Sequence, residues 1–239
     1  MSGVAPELAI AFDVPTLADA LALEERMGPG PELAKIGLEL FAAEGPAAVH
    51  ALRARGRRVF LDLKLHDIPN TVRGAAASAA RLGAELLTVH ATGGAAMIAA
   101  AVEGIRDAGG ETGVVAVTML TSLDPAAMPP GFARPFELVA AAAALASEAE
   151  RAGARGIVCS AADLPDITAS LGRTPWAVTP GIRMSGGAAH DQKRVATIEG
   201  AVHAGARLLV LGRAVTGAAD VGAALAAARA ERDAALVAP

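Results

Sequence analysis

Cysteine is nearly absent: Cys159 is the single one in 239 residues. An internal disulfide framework is thereby excluded, and the count fits a reducing compartment such as the cytoplasm. Basic residues are in the minority, with 21 Lys and Arg against 25 Asp and Glu and a net charge of −4. That balance offers no broad cationic face, so neither nucleic acid nor a membrane surface is an expected partner, and a small ligand is the default. No apolar run of about 20 residues is free of charge, so no membrane span is expected. The positive mean hydropathy comes from alanine. Met1 to Pro6 lacks a basic segment leading into an apolar core, so no signal peptide is expected. Linkers, low-complexity tails and a second domain are also missing, and residues 1–239 read as one domain.

What is present is a large apolar complement, 53% of residues, and a regular alternation of short β-like runs with helical stretches. The strand candidates are Leu8–Phe12, Leu33–Ile36, Val59–Leu63, Leu86–Val89, Gly113–Val117, Gly156–Val158, Ala177–Thr179 and Leu208–Leu211. The helix candidates are Leu17–Met27, Gly45–Arg55, Thr71–Leu82, Ala95–Ala108, Phe136–Ala152, Asp163–Leu171, Val195–Ala204 and Val221–Leu236. Glycines such as Gly56, Gly83 and Gly153 stand where these helices should end. Eight βα units in a chain of this length predict an α/β fold of the (β/α)8 TIM-barrel type, which commonly takes about 250 residues. An open doubly wound sheet is the alternative, because periodicity does not reveal closure.

The chemically useful residues cluster at the carboxyl ends of these strands, where barrel enzymes build their sites. Asp13 follows the first strand, Lys35 ends the second, and Asp62 and Lys64 end the third. His90 ends the fourth, Thr118 and Thr121 follow the fifth, and Ser160 follows the sixth. Gly212 and Arg213 follow the eighth. The densest stretch is Phe60-Leu61-Asp62-Leu63-Lys64-Leu65-His66-Asp67-Ile68-Pro69-Asn70-Thr71. Strand period puts Asp62 and Lys64 on one face, and burying them there is costly unless they pair. With Asp67 nearby they form an alternating charge array suited to moving negative charge and delivering a proton. The competing reading is a structural ion pair at a strand end. The strand-end placement of nearly every other polar candidate argues against it.

Two long loops, Leu120–Pro135 and Pro180–Arg194, have the length of lids. The second carries Arg183 and the polar run His190-Asp191-Gln192-Lys193-Arg194, and its bland alternative is a solvated connection. Gly212-Arg213 at the last strand–helix junction offers backbone N–H donors and a guanidinium fork, and Arg183 and Gln192 are placed to close on the same anion. A phosphate is the expected ligand there. Cys159 reads as a small core residue, since no basic partner is evident. His90 reads equally as a core histidine or a substrate contact.

Taken in chain order, seven pieces resemble the orotidine 5′-phosphate decarboxylase family. They are Ala11-Phe12-Asp13, Ala34-Lys35-Ile36-Gly37, the block Asp62–Thr71, Leu120-Thr121-Ser122, Pro180-Gly181-Ile182-Arg183, Asp191-Gln192-Lys193-Arg194 and Leu211-Gly212-Arg213. The resemblance runs from residue 11 to about 220, and the Asp62–Thr71 block is its most specific part. It implies decarboxylation of orotidine 5′-monophosphate to UMP and CO2 without metal or organic cofactor. It also implies Lys64 as the proton donor to C6, Asp62 beside the substrate carboxylate, and a homodimer in which Asp67 and Thr71 reach the neighbouring subunit's site. By the same resemblance, Asp13 and Lys35 contact the ribose, Lys35 joins the charge array, Thr121 (or Ser122) lies against the pyrimidine, and Arg183, Gln192, Gly212 and Arg213 hold the phosphate. The departures are small: Met184 and Ala214 stand where many relatives have proline, which touches loop stiffness. One competing enzyme class is the Mg²⁺-dependent sugar-phosphate decarboxylases and hexulose-phosphate synthases, which share the barrel but place an acidic metal ligand where this chain has Lys35. A non-catalytic pyrimidine-sensing barrel is the competing binding function.

Overall fold

The computed structural model describes residues 5–123, 137–184 and 196–237. Strands β1 (Glu7–Ala11), β2 (Leu33–Ile36), β3 (Val59–Leu65), β4 (Leu86–His90), β5 (Gly113–Val117), β6 (Gly156–Val158), β7 (Ala177–Thr179) and β10 (Leu208–Leu211) close into a barrel in the order β1-β10-β7-β6-β5-β4-β3-β2. Every pairing in it is parallel. The expected (β/α)8 barrel is therefore the fold, and the open-sheet alternative fails because β1 pairs with both β2 and β10. No described helix is long and apolar enough to cross a membrane.

The outer layer holds α1 (Leu17–Met27), α2 (Leu38–Glu44), α3 (Pro46–Ala54), α4 (Pro69–Arg81), α5 (Gly94–Asp107), α6 (Leu138–Arg151), α7 (Leu164–Leu171), α8 (Ile198–His203), α9 (Arg213–Thr216) and α10 (Val221–Val237). Each long helix buries one stripe against the strands; in α4 it is Val72, Ala76 and Ala79. The alanine and glycine content allows close helix contact: a Cβ on Gly104 of α5 would overlap the Arg73 carbonyl oxygen of α4. Pro69 opens α4 at its first turn, where its missing N–H costs nothing, and so fixes the point at which the exposed run after β3 becomes helix.

Three differences from the expected elements have physical causes. The short helices α2 and α9 span 7 and 4 residues, too few for a period to be visible, and follow Gly37 and Gly212, which supply no side-chain cap. The helix expected over Val195–Ala204 begins at Ile198, because Thr197 caps it by accepting from the Gly200 N–H at 3.0 Å. Ahead of that cap, β8 (Ile182–Arg183) pairs with β9 (Ala196–Thr197) as a separate two-stranded sheet.

Candidate active site

The barrel interior is filled by an apolar cluster that includes Ala11, Leu33, Phe60 and Leu86. Side chains two positions further along a strand emerge on the same face. Those positions are Asp13, Lys35, Asp62 and Thr88. The polar group at the mouth is thus the next layer of the barrel interior, raised on a buried apolar floor.

Lys35 is the most enclosed of these charges at the mouth, its side chain only 8% exposed. Its Nζ donates to Asp13 Oδ1 at 2.9 Å and lies 3.7 Å from Asp62 Oδ2. Lys64 Nζ donates to the other oxygen of that carboxylate, Asp62 Oδ1, at 2.8 Å. Asp13 is 55% exposed, so water screens its contact with Lys35 and little stabilisation comes from it. Asp62 is different. Burial pushes its carboxyl up, but the Lys35 and Lys64 charges, with hydrogen bonds from Lys64 and Thr88, overcome that and hold it below the usual carboxylate range. Asp62 stays ionised at neutral pH, and the sequence Asp13, Lys35, Asp62, Lys64 alternates in sign.

Simple alternation does not by itself produce the Asp62–Lys64 pairing. Leu61 pairs with Leu87 and Leu65 with Val89, so four steps along β3 match two along β4. Asp62, Leu63 and Lys64 face Thr88 alone, as in a β-bulge. Lys64 takes φ +49°, the one positive value on a described non-glycine residue. For a side chain of this kind the left-handed region costs about 1–2 kcal/mol.

A cavity of about 540 Å³ opens over this array. Asp13, Lys35, Asp62 and Lys64 line it from β1, β2 and β3, while Thr121 and Ser122 line it from beyond β5. Arg183, Gly212 and Arg213 complete the wall from the neighbouring β7 and β10 ends. Among the described residues the buried Arg183 Nε has no hydrogen-bond partner, an unsatisfied donor in the wall where an anion was expected. Both Thr121 and Ser122 reach the cavity. Gln192 and His190 lie outside the described residues, as does most of each expected lid.

Other expected residues fall elsewhere. Asp67 and Thr71 are exposed and line no part of the cavity; Asp67 Oδ1 accepts from the Ile68 N–H at 2.6 Å. Thr118 is buried and bonds the Val158 carbonyl, and Ser160 accepts from the Asp163 N–H, so both serve packing. Cys159 is buried and also lines the cavity. The His66 and His90 rings lie 5.5 Å apart; burial first, then the His66 and Lys64 charges, push the His90 imidazole below its ordinary value. Gly37 and Thr88 were given no role from the sequence. A Cβ on Gly37 would sit 2.8 Å from Asp13 Oδ1 and 3.1 Å from Lys35 Nζ. No spacing rule marks a threonine in an apolar strand as a partner of a bulge on the next one.

Fold and site together define a (β/α)8-barrel protein built to take a small anionic ligand at the carboxyl end of its strands. The chain belongs to the orotidine 5′-phosphate decarboxylase / HUMPS family, whose model matches residues 6–228. It is 55% identical over 215 residues to a protein of Anaeromyxobacter sp. (strain K) named orotidine 5′-phosphate decarboxylase, covering 90% of this chain and 92% of that one. A protein of the same name from Thermobifida fusca (strain YX) is 48% identical over 231 residues, covering 95% and 96%. The crystal structure of orotidine 5′-phosphate decarboxylase from Lactobacillus acidophilus superposes with a TM-score of 0.84 at 32% identity, covering 96% of this chain and 100% of that one.

Proposed function

We propose that this chain, as one barrel domain over residues 1–239, decarboxylates orotidine 5′-monophosphate to UMP and CO2, the last step of de novo pyrimidine nucleotide synthesis. The observation that carries the reading is the 2.8 Å contact of Lys64 Nζ with a half-buried, ionised Asp62 on the cavity wall. Loss of CO2 leaves an electron pair on C6 that no adjacent group delocalises well. Lowering the barrier therefore falls to fixed charge and a proton donor already in place. Lys64 supplies both: its ammonium faces the developing negative charge, then gives a proton to C6. Asp62 holds that ammonium and sets a negative charge near the substrate carboxylate, while Lys35 keeps Asp62 ionised and, with Asp13, meets the ribose. Thr121 or Ser122 lies against the pyrimidine. The test is the ultraviolet absorbance change of orotidine 5′-monophosphate with EDTA-treated protein beside Lys64→Ala. No turnover by folded parent protein would reject the assignment.

Arg183, Gln192, Gly212 and Arg213 are assigned to the phosphate, and the orphaned Arg183 Nε supports an anion on that wall. Arg213→Ala is expected to raise KM for orotidine 5′-monophosphate about 10- to 100-fold, as removing a hydrogen bond between charged groups predicts. Steady-state kinetics check it, and an unchanged KM would move the phosphate elsewhere. Gly37→Ala is expected to displace the Asp13–Lys35 contact and lower kcat/KM about 10-fold or more, since small misplacements are costly at such sites. Its melting temperature should stay near that of the parent, because the crowded atoms are side-chain ends at the mouth.

The Mg²⁺-dependent alternative is disfavoured by Lys35. An ammonium 3.7 Å from Asp62 occupies the place a dication would need and repels it. Asp67 and Thr71 are assigned to the partner's site in a homodimer. Their exposure outside their own cavity supports that reading, as do two large exposed apolar side chains, Ile68 at 66% and Leu38 at 59%. The cytoplasm is the proposed location, on the cysteine content.

A further inference from the structure

Thr88 is fully buried on β4 and lies outside the cavity wall, yet its one hydroxyl touches both members of the reactive pair. Its Oγ1 accepts from the Lys64 backbone N–H at 2.7 Å and donates to Asp62 Oδ1 at 3.0 Å. Asp62 Oδ1 in turn accepts from Lys64 Nζ at 2.8 Å, which closes a ring through the hydroxyl, the carboxylate, the ammonium and the lysine's own backbone. The ring sits where three residues of β3 face one of β4. In regular pairing the Lys64 N–H would bond a strand carbonyl; in the bulge the threonine hydroxyl takes that place.

We infer that Thr88 is the positioning residue of this site: its hydroxyl holds Lys64 in the left-handed conformation and fixes which Asp62 oxygen meets Lys64 Nζ. This role rests on the proposed decarboxylation with Lys64 as proton donor. Three requirements meet in one group. The backbone of Lys64 needs a partner for its N–H once the ladder is broken. The conformation at φ +49° is unfavourable for lysine and persists only where its surroundings over-determine it. The carboxylate must present one oxygen to Lys64 while Lys35 faces the other. A hydroxyl has the one donor and the lone pairs to meet the first and third demands together. Valine fills the same volume and meets neither.

The experiment compares Thr88→Val, Thr88→Ala and Thr88→Ser with the parent. Val and Ala are expected to lower kcat about 100-fold at a KM within about threefold of the parent, because the substrate contacts stay while the proton donor drifts. Ser, which keeps the hydroxyl, is expected to recover most of the loss; a purely packing role would leave Val the best of the three. Should Val fail to fold, the contrast of Ala with Ser decides the matter. Parent-like kcat in Val or Ala, or Ser as impaired as Ala, overturns the inference. A crystal structure of Thr88→Ala gives a second readout that needs no turnover. Lys64 should leave the left-handed region there, and retention of both that φ and the Asp62 contact overturns the inference. A parent protein without turnover sinks the decarboxylase reading instead, and the structural readout then decides on Thr88 alone.

Discussion

Lys64→Ala is expected to reduce kcat for orotidine 5′-monophosphate by at least about 10⁴-fold, to near silence in an ultraviolet assay. Two losses combine in it. Removing a positioned general acid costs typically 10²–10⁴-fold, and removing a preorganised charge that faces the developing anion costs about 10²–10³-fold more. The fold should survive. Asp62 keeps Lys35 at 3.7 Å and the Thr88 hydroxyl at 3.0 Å, so its half-buried carboxylate is not left without a counter-charge or a donor. UMP binding should survive too, since Arg183 on β8 and Gly212 and Arg213 at the start of α9 stand away from β3. Near-silent turnover with retained UMP binding and a cooperative thermal transition is therefore the expected triple. A mutant within about tenfold of the parent would remove Lys64 from the proton-donor role, because general acid catalysis alone is worth more than that.

The architecture was legible because the strands and helices of a (β/α)8 barrel carry separate periods and are punctuated by glycine. All eight barrel strands lie within two residues of the expected bounds at each end. Closure was not legible: the β1–β10 pairing joins residues about two hundred positions apart, and nothing local records it. The charge array was legible in composition but not in geometry. Asp62 and Lys64 were expected on one face of a regular strand, and they do meet, but through a register shift and a positive φ that no alternating pattern encodes. Thr88 was invisible for the same reason, since its partners are created by the bulge. Gly37 could have been suspected, because a glycine two residues after a buried lysine leaves room for a close approach. The wall proposed for the phosphate was legible in part: Arg183, Gly212 and Arg213 reach one cavity, and the orphaned Arg183 Nε is a feature only coordinates reveal.

A site shared between two copies of the chain makes a sharper demand than any single substitution. Asp67 is exposed and absent from the cavity its own Lys64 lines; under the proposed symmetric dimer, each complete site would take Lys64 from one subunit and Asp67 from the other. Asp67→Ala is expected to lose about 10²-fold or more in kcat, as removal of a fixed charge beside the reacting centre does. Mixing that protein with inactive Lys64→Ala should then regenerate activity once subunits exchange. Each mixed dimer holds one site with both residues intact and one with neither. Equal mixing with random exchange makes about half the dimers mixed, so about a quarter of all sites should recover under twofold symmetry. The exposed Ile68 and Leu38 side chains make Ile68→Asp the control: a charge in an apolar contact should weaken the dimer and lower activity in proportion to the monomer formed. Sedimentation and turnover on the same samples check that proportion. No recovery on mixing, with exchange proven by mass-tagged subunits, would mean that each site is completed within one chain. Asp67 would then have to fold back over its own cavity, a position it does not occupy here, so the run from His66 to Thr71 would have to move on substrate binding.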